Sequence, residues 1–278
     1  ALAWWGIAIS GGPFMNKPWE WLTMPEKEQA LAACHGAIAE AMSRTANAPP
    51  KARALIEALA VRYPQTEVPD DGVLASWERA YADAMIPVYE AYGDDPDIAA
   101  LNIDSQIMLT PWQIYDVDKR APNPEARERE IQAALERALA GTGADHIGVL
   151  HFDIHVQEMS PTPEEALPSA RRLQELAPPD AGHLQHMPSH IHALVGDFDE
   201  ATRCSRLSMA TDKRFMANLH RTPFYRTLVC HDVHMLMFAG MQTGNLANAA
   251  DAAIVMAEIL ENVLVHPPVT HMDMTLEG

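Results

Sequence analysis

The sequence predicts an all-α protein, and three observations lead there. Stretches of roughly 15 to 20 residues with helix-forming composition follow one another, each closed by a cluster of Pro, Gly or Asp. No convincing run of period-two alternation, the mark of a half-buried strand, interrupts them. Helix, tight turn, helix recurs as the unit of construction.

Taken in order, residues 1 to 10 read as a helix that ends at Gly11 and Gly12. The loop GGPFMNKPWEW follows, offering Asn16, Trp19 and Trp21 either as packing residues or as a wall of a substrate pocket. Pro25, Glu26 and Glu28 open the next helix, to about Arg44, with the Pro and acids that suit a helix N-terminus. Ala30, Ala33, Ala37 and Ala41 give it a small-residue face for close packing. Further helices are expected at about 50 to 63, 72 to 92 and 96 to 109. LTPWQIYDVD then reads as a short turn or helix carrying Trp112 and Tyr115, two more candidates for a pocket wall. A charged helix at about 124 to 140 suits a solvated outer face. After the loop GTGAD, a helix bearing histidines stops at Ser160 and Pro161, and Thr162, Pro163 and Glu165 are read as a capping box for the next.

Composition describes a soluble globular chain with a sizeable core, long enough for one extended domain or two compact ones. With 20 Lys plus Arg against 38 Asp plus Glu, the formal charge is −18. Such a chain repels phosphate backbones, so no nucleic-acid partner is expected. Its apolar runs fall short of the ~20 residues that a membrane span needs, so no membrane partner is expected either. Cys34, Cys204 and Cys230 are isolated thiols without C-x-x-C spacing, which indicates neither a disulfide framework nor a thiolate zinc site. The first residues, ALAWWG, lack an initiator Met and leave room for a removed upstream segment such as a signal peptide. The compartment therefore stays open between cytoplasm and periplasm.

Histidine is distributed unevenly. Of the 13, His146, His151, His155, His183, His186, His190, His192, His220, His231 and His234 fall within residues 146 to 234, about a third of the chain. At about 100° per residue, His151, His155 and Glu158 in HFDIHVQE share one helical stripe. His183, His186 and His190 in HLQHMPSH do the same, with His192 on the opposite side. In CHDVH, His231 and His234 share a face beside Cys230. Imidazole is the commonest protein ligand for zinc and copper and also serves iron and nickel. Helices packed about 8 to 10 Å apart let facing histidines converge on an ion about 2.0 Å from each nitrogen.

HIHALVGDFDEATRCSRLSMA, with Gly196, Phe198 and Ala201, resembles the junction between the two helices of a tetratricopeptide repeat. MFAGMQTGNLANAADAAIVMA repeats it at Gly244, Leu246 and Ala249. The two glycines are 48 residues apart (244 − 196) against the family period of 34. The extra residues are assigned to MANLHRTPFYRTLVC, an insertion that suits a functional loop. More narrowly, DHIGVLHFDIHVQEMSPTPEEALP and GHLQHMPSHIHALVGD resemble a bacterial tetratricopeptide-repeat subfamily with HxxxHxxE and HMPSHI-type elements. That pattern matches at His151, His155, Glu158, His183, His186 and His190, and its HNYH-like element matches His231 and His234. The chain departs from it with Leu150 and Asp232 at usual Asn positions and His192 at a usual Tyr position. The resemblance implies a single helical-hairpin solenoid over residues 1–278, with a His-rich site in 146–234, but no particular reaction.

The metal set read from these residues is His151, His155, Glu158, His183, His186, His190, His231 and His234. Seven histidines exceed the three or four nitrogens that one tetrahedral ion needs, so either some stand outside the coordination sphere or two ions bind. Copper or zinc suits imidazole, and iron would favour His151, His155 and Glu158 as a two-His, one-carboxylate set. Met187, Met235 and Met237 are core filling or soft ligands that lean toward copper. No G-x-S-x-G elbow, Walker loop, G-x-G-x-x-G or H-E-x-x-H is present, and Cys230 beside His231 suggests a nucleophile by adjacency alone. Two function classes follow. One is a metalloenzyme acting on a small organic molecule, with copper oxidation favoured over zinc hydrolysis. The other is an interaction scaffold that grips a protein partner in a repeat groove and uses its histidines structurally.

Overall fold

The structure, a computed structural model, describes residues 1–218 and 223–265. His220, in the expected insertion, lies outside the described residues. The chain is all-α, and it divides into two compact units, Ala1–Val149 and Leu150–Gly278. No helix among the described residues is long and apolar enough to cross a membrane.

The first unit contains α1 (Leu2–Gly11), α2 (Met24–Met42), α3 (Pro50–Ala60), α4 (Asp71–Tyr92), α5 (Pro96–Ile107) and α6 (Glu128–Leu139). Thr23 caps α2 as half of a capping box. Its hydroxyl accepts from the Glu26 backbone N–H, and the Glu26 carboxylate accepts from the Thr23 N–H at 2.9 Å. Such a cap contributes about 1 kcal/mol. Leu31, Ile56, Leu59, Tyr63, Leu74 and Met85 meet in the core between α2, α3 and α4. Each large apolar side chain so buried contributes about 1.5–3 kcal/mol.

Set into that core is a buried ion pair. The Arg62 Nε donates to both Glu78 oxygens at 2.9 and 3.0 Å, and the Trp19 indole donates to Glu78 Oε1 at 2.7 Å. Arg62 also donates to the Pro13 carbonyl at 3.0 Å, and its guanidinium lies 5.1 Å from the Tyr81 ring centroid. The segment read as a short turn or helix begins with a turn, closed by the Gln113 N–H on the Thr110 carbonyl at 3.0 Å, and then enters a minimal antiparallel ribbon, Tyr115–Asp116 against Ala121–Pro122. Strands of two residues leave no alternation for a sequence to display.

α7 (Ile147–Gln157) contains the division between the units. The second unit continues with α8 (Leu167–Leu176), α9 (Gly182–His186), α10 (Pro188–Leu194), α11 (Phe198–Asn218), α12 (Pro223–Thr243) and α13 (Leu246–Val265). The expected capping box at Thr162 does not form. Pro163–Ala166 is a 3-10 turn, Thr162 makes no side-chain cap bond, and its own N–H is taken by the Ser160 hydroxyl at 3.1 Å. The turns at Gly196 and Gly244 do fall where expected. Both glycines have positive φ, +83° and +71°, a region that side chains bearing a Cβ rarely adopt.

Three contacts fix the frame of this unit. The Ser169 hydroxyl on α8 donates to Asp153 on α7 at 2.5 Å, and burial pushes the Asp153 carboxyl up to about 6. The Ser208 hydroxyl on α11 donates to Asp232 on α12 at 2.7 Å, and the Tyr225 phenol donates to Asp212 at 2.8 Å. Val229, Val233, Leu236, Ala252, Val255 and Ile259 form the apolar seam of α12 with α13. At Gly240 a Cβ would stand 2.8 Å from the Ala249 backbone nitrogen, so this crossing needs the bare glycine.

The buried ion pair sets the first prediction. Glu78→Ala leaves Arg62, whose side chain is 1% exposed, without its counter-charge. The expected cost is about 3–5 kcal/mol. Glu40→Ala, which removes the half-exposed pair with Arg44, costs about 1 kcal/mol or less. Denaturant unfolding of both variants measures the difference, and equal losses would remove the Arg62 pair from its structural role.

Candidate metal centre

Four helices of the second unit bring histidines together. α7 supplies His151 and His155 one turn apart, α9 supplies His183 and His186, α10 supplies His190, and α12 supplies His231. They form two groups of three, His151 with His155 and His183, and His186 with His190 and His231. Within each group the ligand atoms all lie within 4.8 Å of one another. His151 Nε2 is 3.3 Å from His183 Nε2. His190 Nε2 is 2.8 Å from His186 Nε2 and 3.2 Å from His231 Nε2. Two nitrogens bound at 2.0–2.1 Å to one tetrahedral ion stand about 3.3 Å apart, so these spacings fit a shared ion with small adjustments.

HLQHMPSH is divided between two short helices at Pro188. Pro188 has no N–H to continue the helix, so α9 ends at His186 and α10 starts afresh. The expected single stripe is split, and the split falls inside α9 rather than at Pro188. His183 joins the α7 histidines, while His186 and His190 join His231.

Glu158 lies between the groups. Its Oε1 is 2.7 Å from His155 Nδ1, and its Oε2 is 2.7 Å from His190 Nδ1. Burial pushes its carboxyl up, but His190 and then His155 outweigh that, and the net effect holds it well below the usual carboxylate range. An ionised carboxylate only accepts, so both Nδ1 atoms donate. In neutral imidazoles that tautomer leaves the Nε2 lone pairs of His155 and His190 available to an ion.

The other imidazoles are held neutral. Burial depresses His151, with His155 and His183 adding to the effect, and it depresses His183 and His186 likewise. Burial and then His190 bring His231 down to about 3. Neutral imidazole is the form that binds a metal. Asp232 is buried with Oδ1 3.6 Å from His186 Nε2, and burial together with Asp212 pushes its carboxyl well above the usual range. Ser189 Oγ lies 3.4 Å from His186 Nδ1.

No family model, no curated protein and no solved structure matches this chain.

The remaining candidates are placed as follows. His234 is half-buried and belongs to neither group. His192 is buried but stands apart, with Nδ1 3.6 Å from Asp197 Oδ2. His146 caps α7 from the first unit, accepting the Val149 N–H at 3.2 Å and pairing with Asp97 at 3.0 Å. Asn16, Trp19, Trp112 and Tyr115 all lie in the first unit. There the Trp19 indole holds Glu78, the Trp112 indole donates to the Met15 carbonyl at 3.0 Å, and the Tyr115 phenol donates to Glu128 at 2.8 Å. Met237 packs on the apolar seam of α12, and Met187 is fully buried. Burial raises the Cys230 thiol to about 11, which makes it a poor nucleophile at neutral pH.

Two outcomes are expected. His155→Ala and His190→Ala should each lose bound metal and the rise in Tm that metal confers, whereas His192→Ala should keep both the metal and that rise. Elemental analysis of the three variants after metal loading checks this, and equal metal loss in all of them would overturn the grouping.

The second concerns acid. Folded His231 sits at about 3 against an ordinary 6.5, so its contribution to stability is whole above about pH 6.5. It declines as pH falls from 6.5 toward 3, because the unfolded chain takes a proton that the native state refuses. In metal-free protein the stability gap between the parent and His231→Ala should therefore narrow from pH 7 to pH 4. Urea titrations at four or five pH values measure it, and a constant gap would contradict the assignment.

Proposed function

We propose that this protein is a metal-dependent enzyme acting on a small organic molecule, with copper-dependent oxidation favoured over zinc-dependent hydrolysis. The observation that carries the reading is the pair of buried trihistidine groups. Nitrogen-only sets suit copper and zinc and disfavour calcium and magnesium, which take oxygen ligands. Three nitrogens leave a coordination position open for substrate or oxidant. Iron is disfavoured, because both Glu158 oxygens are engaged by His155 and His190 rather than held for an ion. Glu158 is accordingly proposed as the residue that orients two ligands, and His234 as a neighbour of the site.

Copper is favoured because imidazole supports both of its oxidation states. The oxidant in this reading is dioxygen. Two donor molecules each give up two electrons and two protons, and one dioxygen takes all four of each as two waters.

The paired turns at Gly196 and Gly244 support the resemblance to tetratricopeptide-repeat proteins, and we extend it to a solenoid architecture for the chain. They also favour a second reading, a scaffold that binds a protein partner in a repeat groove. Peptide binding that is unchanged by a chelator, in protein that takes up no metal, would favour that reading instead.

Oxygen uptake by copper-loaded and zinc-loaded protein across a panel of phenols, amines and other small aromatics tests the first proposal. Uptake is expected with copper and not with zinc. Hydrolytic turnover with zinc and no uptake with copper would overturn the oxidase reading and leave the metalloenzyme standing.

A further inference from the structure

We infer that the two trihistidine groups form one dinuclear centre, coupled through Glu158, rather than two independent sites. The inference rests on the metal-binding reading above and adds nuclearity and a positioning residue to it.

Continuity of the rings is the first argument. His155 and His183 centroids are 6.0 Å apart within one group, and His183 and His186 are 6.3 Å apart across the two. His186 in turn lies 4.7 Å from His190 and 4.8 Å from His231. His183 and His186 sit within one turn of a five-residue helix yet serve different groups. A helical turn rises only about 5.4 Å, so the two ions would be near neighbours. Known two-metal sites hold their ions about 3.5–4 Å apart.

The second argument is the shared carboxylate. One oxygen of Glu158 meets Nδ1 of a ligand in the first group and the other meets Nδ1 of a ligand in the second, both at 2.7 Å. A rigid carboxylate cannot turn toward one ring without disturbing its bond to the other. Seating an ion in one group therefore sets the ring orientation that the second ion needs.

Charge gives the third argument and names the ligand class. Two divalent ions this close repel strongly in a buried setting. Glu158 carries one negative charge, so a small anionic oxygen ligand of hydroxide size, binding both ions, would offset part of the remaining repulsion.

The test is titration of the metal-free full chain with copper(II) and, separately, zinc(II), with bound metal counted per chain. Two equivalents are expected, and His231→Ala, which removes one ligand from the second group, should weaken uptake at both. Glu158→Gln should lower the affinity for both ions about 10–100-fold while the metal-free Tm stays close to that of the parent. Its amide cannot accept from both imidazoles at once. If that variant fails to fold, His155→Ala takes its place, with weakened uptake in the second group expected. Two equivalents in the parent, with one still bound at parental affinity in His231→Ala, would overturn the coupling. One equivalent in the parent would overturn the dinuclear centre and leave the metal reading intact, and none would overturn both.

Discussion

The interaction on which the orientation of the histidine cluster depends is the pair of contacts from Glu158 to His155 and His190. Six imidazoles crowded into one region pose a proton problem, because each neutral ring has one N–H to place and one lone pair to satisfy. Burial disfavours relief by charging at His151, His183, His186 and His231, each of which it holds below the ordinary imidazole range. A single ionised carboxylate takes two of those N–H groups and turns the corresponding lone pairs elsewhere. Buried polar groups left unsatisfied are costly, so the arrangement makes sense when a cation accepts the converging nitrogens. The frame serves that purpose. Asp153 with Ser169 seats α7 on α8, and Ser208 with Asp232 seats α12 on α11, which together determine where His151, His155 and His231 can reach.

The first unit buries polarity in a different way. Its ion pair is closed, with the Arg62 Nε on both Glu78 oxygens and a carbonyl and an indole meeting further donors and acceptors. Nothing in that cluster is left to bind an ion. Set beside it, the histidine region differs by having donor atoms that face one another rather than complementary partners. Ring nitrogens 2.8 to 3.3 Å apart can share a proton, and the same spacing is a good template for coordination.

What the sequence made legible follows from range. Helix positions, the Gly196 and Gly244 turns, and the pairing of His151 with His155 are set by contacts within a few residues, where periodicity and glycine chemistry speak directly. Asp153 with Ser169, and Trp19 with Glu78, join residues 16 and 59 apart, and no local pattern announces them. The split of His183 from His186 was hidden for the same reason. Both residues lie on α9, and which rings of α7, α10 or α12 lie beside each is set by tertiary packing that spacing along the chain does not carry. Glu158 was legible as a neighbour of His155 at i+3, but its bond to His190 depends on how α10 meets α7. The capping box at Thr162 failed because a 3-10 turn, with Ser160 on its backbone N–H, took the place of a helical first turn.

Two scales of electrostatics meet at this site and do different things. The chain carries −18 overall, which raises the local concentration of any cation and favours its arrival. That field does not choose between ions, because surface carboxylates attract calcium and magnesium at least as readily as copper or zinc. Choice is made where the carboxylates stop. At the cluster the converging atoms are imidazole nitrogens, which would reward softer ions and offer little to hard ones. The negative charge on Glu158 meets Nδ1 of His155 and His190, so with a metal bound it would strengthen their Nε2 atoms as donors without making the site an oxygen site.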